Sequence, residues 1–154
     1  MGYTHYATTH RDFTDAEWGE VTERARWIVA AAAAVGIDLA GPDGDGEPVI
    51  DGERIAFNGR GEPGGPLVYE AAVVTRERDG DGWGFTKTGF ENRPTRPYDA
   101  AVVAIFEGAA SIAPDAYRWS SDGEGAELAP GMQLCEIAHR LCELADNTAA
   151  AHAA

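Results

Sequence analysis

The sequence predicts an α+β fold: a mainly antiparallel sheet built from hairpins and packed by about three helices in a single domain. Three observations carry this. One long segment has a complete helix-start signal followed by an apolar stripe at helical spacing. Two later segments repeat that spacing. The apolar runs between them come in pairs separated by Gly- and Asp-rich turns, not in strict strand-helix-strand alternation.

Tyr3 to His10 alternates aromatic, small and Thr side chains, the pattern of an opening strand. Thr14 and Glu17 then form a capping box, in which the Thr hydroxyl accepts the Glu17 amide and the carboxylate reaches back to the Thr14 amide. Phe13 and Trp18 flank it as a hydrophobic staple. Trp18, Val21, Ala25, Ile28, Ala32 and Val35 mark one buried face, and Gly36 supplies a left-handed stop, so the first helix spans about 15–35. After the Gly41 to Gly46 loop, Val49-Ile50 and Ile55-Ala56-Phe57 flank a short turn and read as a hairpin. Leu67 to Arg78 and Trp83 to Thr88 read as two strands joined through Asp79-Gly80-Asp81-Gly82. Pro97 suits the first turn of a helix with Tyr98, Ala101, Val102, Ile105, Ala109 and Ile112 on its buried face, ending near Pro114. Tyr117 to Ser120 is a short strand. A last helix from about Pro130 to Asp146 buries Leu134, Ile137, Leu141 and Ala145. Residues 1–147 therefore make the domain, and 148–154 form an Ala-rich disordered tail with nothing to anchor it.

The chain has 154 residues, with 26 acidic side chains against 12 basic ones and a formal net charge of -14. That balance excludes a nucleic-acid duplex as partner, because releasing counterions from phosphates needs a basic face. The acidity has three readings: solubility, adaptation to high salt, or docking to a basic protein, including mimicry of DNA. Its visible clumps lie in Gly-rich loops, which favours the first. No window is apolar enough for a membrane span and no signal peptide is evident at the start, so the expected location is the cytoplasm.

Catalytic and metal signatures are absent. Cys135, His139 and Cys142 share one helix face and are ligand types that zinc prefers, but a fourth ligand is missing. The two cysteines stand about 10 Å apart along a straight helix and cannot bridge each other. Small buried thiols are the plainer reading. Asp43, Asp45 and Glu47 begin like a calcium loop, yet Pro48 and Arg54 occupy the positions of its glycine and its bidentate glutamate. The Asn58 to Gly65 run lacks the Gly-Lys-Ser/Thr of a phosphate loop, and Ser120 and Ser121 lack a nucleophile elbow. His5, His10 and His152 belong to no catalytic spacing. No catalytic residue, metal site or cofactor is assigned.

One stretch stands out. Lys87, the only lysine, lies near Arg93 and Arg96 in an otherwise acidic chain. Beside a helix start near Pro97 these side chains would form an anion site, with Thr88, Tyr98 and Asp99 next to them and Asn58, Ser120, Ser121 and Asp122 completing the candidate set. Tyr98 and Trp83 could stack a base or pack in the core. The competing reading is a structural network in which Lys87 and Arg96 pair with Asp99, Glu91 and other acids.

The same residues carry a resemblance. Phe57-Asn58-Gly59, then Val68-Tyr69-Glu70 through Arg76, then Phe85-Thr86-Lys87-Thr88, then Arg96-Pro97-Tyr98-Asp99, then Ser120-Ser121-Asp122-Gly123 resembles a family of small uncharacterised proteins found in bacteriophages and prophages. The opening Phe13 to Trp18 helix start and the Ala40 to Gly44 loop are similar too, so the likeness spans most of the chain. In relatives the central motif reads Phe-Cys-Lys-Thr-Ala-Arg-Lys-Pro-Tyr-Asp. Here Thr86 replaces the cysteine, residues 89–94 lengthen the connection, and Arg96 stands for the second lysine. The family carries no activity to transfer, so the resemblance supplies a setting. Together with the lack of catalytic motifs, that setting leads to the expectation of a non-enzymatic accessory protein in the host cytoplasm, one that binds a host protein or a defence-related, nucleotide-like anion in host takeover or counter-defence. Alternatives are an enzyme on a phosphorylated small molecule, with Lys87 and Arg96 clamping phosphate and Asp99 or Asp122 as a base or metal ligand, and a virion component. An open sheet edge would also allow a homodimer.

Overall fold

The computed structural model describes residues 2–90 and 95–153. The fold is α+β, with all strand pairs antiparallel. Strand β1 (Gly2–Thr9) leads into helix α1 (Asp15–Ala34). Strands β2 (Leu39–Ala40), β3 (Val49–Ile50), β4 (Arg54–Gly59) and β5 (Ala72–Thr75) follow, then β6 (Trp83–Phe90). Helix α2 (Asp99–Ile112), strand β7 (Tyr117–Ser121), a 3-10 turn at Gly125–Glu127 and helix α3 (Ala129–Ala153) complete the chain.

The strands form two sheets, not the one expected from the sequence. In the first, β1 lies between β6 and β7. In the second, β4 pairs with β2, β3 and β5. The β3–β4 hairpin forms as its turn residues predict, with the Asp51 carboxylate accepting the Glu53 and Arg54 amides at 2.8 and 2.9 Å. The predicted pairing partner of the 83–88 strand is different from what forms: β5 and β6 are consecutive, yet each belongs to another sheet. Two bonds separate them. Thr9 N–H donates to the Gly82 carbonyl at 2.7 Å, drawing β6 to β1, while Arg76 N–H donates to the Glu53 carbonyl at 2.8 Å and holds β5 on β4.

Helix α1 starts on the capping box, with Thr14 N–H to Glu17 Oε2 at 2.9 Å and Glu17 N–H to Thr14 Oγ1 at 3.2 Å. The Phe13 and Trp18 rings stand 5.4 Å apart as the staple. Helix α2 is buried almost all round, from Asp99 through Phe106, because it packs on α1, α3 and the first sheet together. A helix that is apolar on every side can take that central place. Helix α3 approaches it closely: a Cβ on Gly131 would lie 2.4 Å from Val103. The same helix runs to Ala153, so residues 148–153 are helical and not the disordered tail expected from the sequence. Alanines favour the helix, and Thr148 Oγ1 donates to the Leu144 carbonyl at 2.8 Å. No helix among the described residues is long and apolar enough to cross a membrane.

Candidate functional site

Two surfaces of the first sheet must be distinguished, because alternation along a strand sends neighbouring side chains to opposite faces. The inner face of β1 carries His5, Ala7 and Thr9, all buried against α2 and the core. It meets Asp99 and, through that carboxylate, Thr88 from the residues that the sequence grouped as an anion site.

The β1–β6 register slips between Tyr3, opposite Gly89, and Thr4, opposite Lys87, which leaves Thr88 as a bulge residue. The bulge aims the buried Thr88 hydroxyl at the Asp99 carboxylate, 2.5 Å away. His5 Nε2 lies 2.7 Å from the same oxygen. Tyr98 is fully buried and donates from its hydroxyl to the Glu70 carbonyl at 2.7 Å. Burial, ahead of the neighbouring acids, pushes its phenol well above the ordinary range. Arg96 N–H donates to the Thr88 carbonyl at 3.1 Å, and its guanidinium lies 5.0 Å from the Tyr69 ring centroid. Lys87 N–H donates to Glu70 Oε2 at 2.7 Å. Asn58, buried, donates to the Pro42 and Tyr69 carbonyls at 3.1 and 3.0 Å and accepts the Tyr69 amide at 3.3 Å. Thr88, Arg96, Tyr98 and Asp99 thus meet at one corner beside the Lys87 backbone, while Lys87 itself is an outward position, and Asn58 lies nearby through Tyr69. The polar groups of Thr88, Tyr98 and Asp99 are turned inward onto protein partners.

The remaining candidates lie at the other edge of β1. Ser121 pairs with His5, and its hydroxyl accepts the Gly123 amide at 2.9 Å. Asp122 Oδ2 accepts the Thr4 amide at 3.1 Å, closing the sheet end. The Tyr3 hydroxyl is buried close to Ser121 without a well-formed hydrogen bond, and burial together with the Asp99 charge pushes it up to about 12. Arg93 lies outside the described residues.

Cys135, His139 and Cys142 line an open groove of about 510 Å³ between α1 and α3. They do not converge: Cys135 Sγ donates to the Ala104 carbonyl at 3.5 Å, whereas exposed His139 pairs with Glu143 at 3.3 Å. Among the described residues no three ligand-type side chains are placed to hold a metal.

The outer face of the first sheet has another character. Its outward positions are Thr4, Tyr6 and Thr8 on β1, Trp83, Phe85 and Lys87 on β6, and Arg118 and Ser120 on β7. None is acidic, in a chain where acids outnumber bases two to one. Trp83 and Phe85 are 55% and 50% exposed. Their rings lie 5.3 Å apart, and Tyr6 stacks beside Trp83 at 6.5 Å. Sequence reasoning noticed Trp83 but not the face. The alternation Trp83-Gly84-Phe85-Thr86-Lys87 held the signal, since large side chains at alternate positions around small ones define a bare face. His5 was missed for a different reason, because its partner lies 94 residues away.

Compared with known proteins, the chain matches no family model, no curated protein and no solved structure.

Proposed function

We propose that this chain is a non-enzymatic binding protein that docks a host protein on the outer face of its first sheet, in the phage or prophage setting that its resemblance implies. One observation carries the reading: a contiguous Tyr6, Trp83 and Phe85 surface, with Asp81 and Asp122 only at its ends and Arg118 beside it, on a protein of net charge -14. Exposed aromatic and Arg side chains are the composition of interaction hot spots. Host takeover or counter-defence in the host cytoplasm is the role this binding would serve.

The test is site-specific cross-linking. With p-benzoylphenylalanine placed at position 120, infected-host lysate should yield one discrete adduct that disappears in the Trp83→Ser/Phe85→Ser variant. The same photoprobe at position 23, in the α1–α3 groove, should not give it. A nucleotide panel that raises the melting temperature and quenches Trp83, with no protein adduct, would instead assign the face to a nucleotide-like anion. An adduct of the chain with itself would assign it to a homodimer.

A further inference from the structure

A hollow lies between the two sheets where β5 and β6 part, and small residues leave it there. On β6 the inward position paired with Ala7 is Gly84, so neither strand sends a large side chain off the inner face at that level. A Cβ added to Gly84 would meet no atom within 4 Å. Val73, Val74 and Thr75 of β5, which pairs with β4, line the other side. The volume is about 190 Å³, with Ala7, Thr9 and Tyr117 also lining it.

Tyr117 brings an unspent polar group to this hollow. It sits on β7, across β1 from β6, and strands two places apart are separated by roughly 9–10 Å. Only the far end of its ring can therefore share a cavity with Gly82 and Gly84. That end is a hydroxyl, buried with no hydrogen-bond partner, on a side chain only 1% exposed. Burial pushes the phenol well above its ordinary range, so it stays a neutral donor. The mouth carries both signs of charge: Asp79 lines it, and Arg78 packs against Gly82, with Nε 3.0 Å from where a Cβ would lie. It selects neither a cation nor an anion, and a charged occupant would lose its hydration on entering.

We infer that this cavity binds a small neutral organic molecule, with a compact apolar body and a carbonyl-type oxygen that accepts a hydrogen bond from the Tyr117 hydroxyl. An apolar cavity of about 150 Å³ holds benzene, so the space here admits a six-membered ring with a short polar substituent. It is below the ~300–1,000 Å³ of sites for drug-sized ligands. The site goes beyond the docking face and does not rest on it. That face uses the Trp83 and Phe85 rings outside the sheet, whereas the cavity uses Gly84 and Tyr117 inside it.

The probe is para-fluoroacetophenone, titrated into the full chain and followed by fluorine NMR. Its companions are para-fluoroethylbenzene, the same shape without the acceptor, and para-fluorobenzoate, which is charged. Saturable binding of the ketone is expected, with the benzoate weaker by about tenfold or more. Tyr117→Phe should weaken the ketone about three- to tenfold, the worth of one neutral hydrogen bond, and leave the ethylbenzene unchanged, which also shows that the variant folds. Gly84→Val places a strand-favouring side chain in the hollow and should abolish binding of both while the melting temperature holds or rises. No saturable binding of the ketone, equal ketone affinity in Tyr117→Phe, unchanged binding in folded Gly84→Val, or a benzoate as tight as the ketone would overturn the inference. If Gly84→Val fails to fold, the Tyr117→Phe comparison decides alone.

Discussion

His5 and Asp99, 94 residues apart in sequence, meet in the core with Nε2 2.7 Å from Oδ1, and Thr88 closes on the same carboxylate oxygen. The three side chains tie the N-terminal strand, the β6 bulge and the start of α2 together. A carboxylate at the first turn of a helix is also favoured by the free amides there.

Asp99→Ala is expected to destabilise the fold by about 3 kcal/mol, since it strands a buried His and a buried Thr at once. Asp99→Asn keeps an acceptor and should cost less. Urea denaturation with an unchanged m-value checks both; a loss under 1 kcal/mol for the Ala variant would show that the network contributes little.

Gly131→Ala should cost about 1–3 kcal/mol, because its Cβ would enter the space of Val103, 2.4 Å away. Adding Val103→Ala removes the obstructing atoms, so the double variant should be more stable than the two single losses combined predict. Thermal melts of the three variants measure this coupling.

Glu17 is held down to about 2, first by the Arg11 guanidinium and then by the Thr14 amide. A carboxyl lowered in the fold contributes stability that is present above its ordinary value near 4.5 and lost as pH falls toward 2. The melting-temperature difference between the protein and Glu17→Gln should therefore shrink across that window. Thr14→Ala removes the cap itself and should cost about 1 kcal/mol.

Burial pushes the Cys135 thiol up to about 11, and Cys142 is raised as well, by desolvation ahead of Asp146. Both should alkylate slowly at pH 8, Cys135 more slowly because it is the more enclosed. The Cys135 rate should climb steeply toward pH 11. Peptide mapping after timed iodoacetamide treatment separates the two sites, and no mutual disulfide should appear on oxidation.

Local signals were legible without coordinates. The Thr14–Glu17 box, the Phe13–Trp18 staple, the Asp51 turn and the stop at Pro114 each act over a few residues, so neighbouring side chains suffice to define them. The candidate site was legible only in part. Thr88, Arg96, Tyr98 and Asp99 do gather, with only the backbone of Lys87 beside them, but the residues that engage them, His5 and Glu70, come from elements brought in by strand pairing. A spacing pattern could not show which faces of the corner would be filled.

By itself, the sequence determined the α+β class, the helix starts and most strand segments, though not β2 and not the short extent of β5, because capping, turn chemistry and apolar periodicity are short-range. The tertiary structure decided which strands share a sheet, that α3 runs on through the alanines, and that the anion corner turns inward. It also decided which face stays bare. Those outcomes depend on long-range competition for backbone partners: Gly82 is taken by Thr9 and Arg76 by Glu53, and β5 and β6 are left apart with an open gap between them.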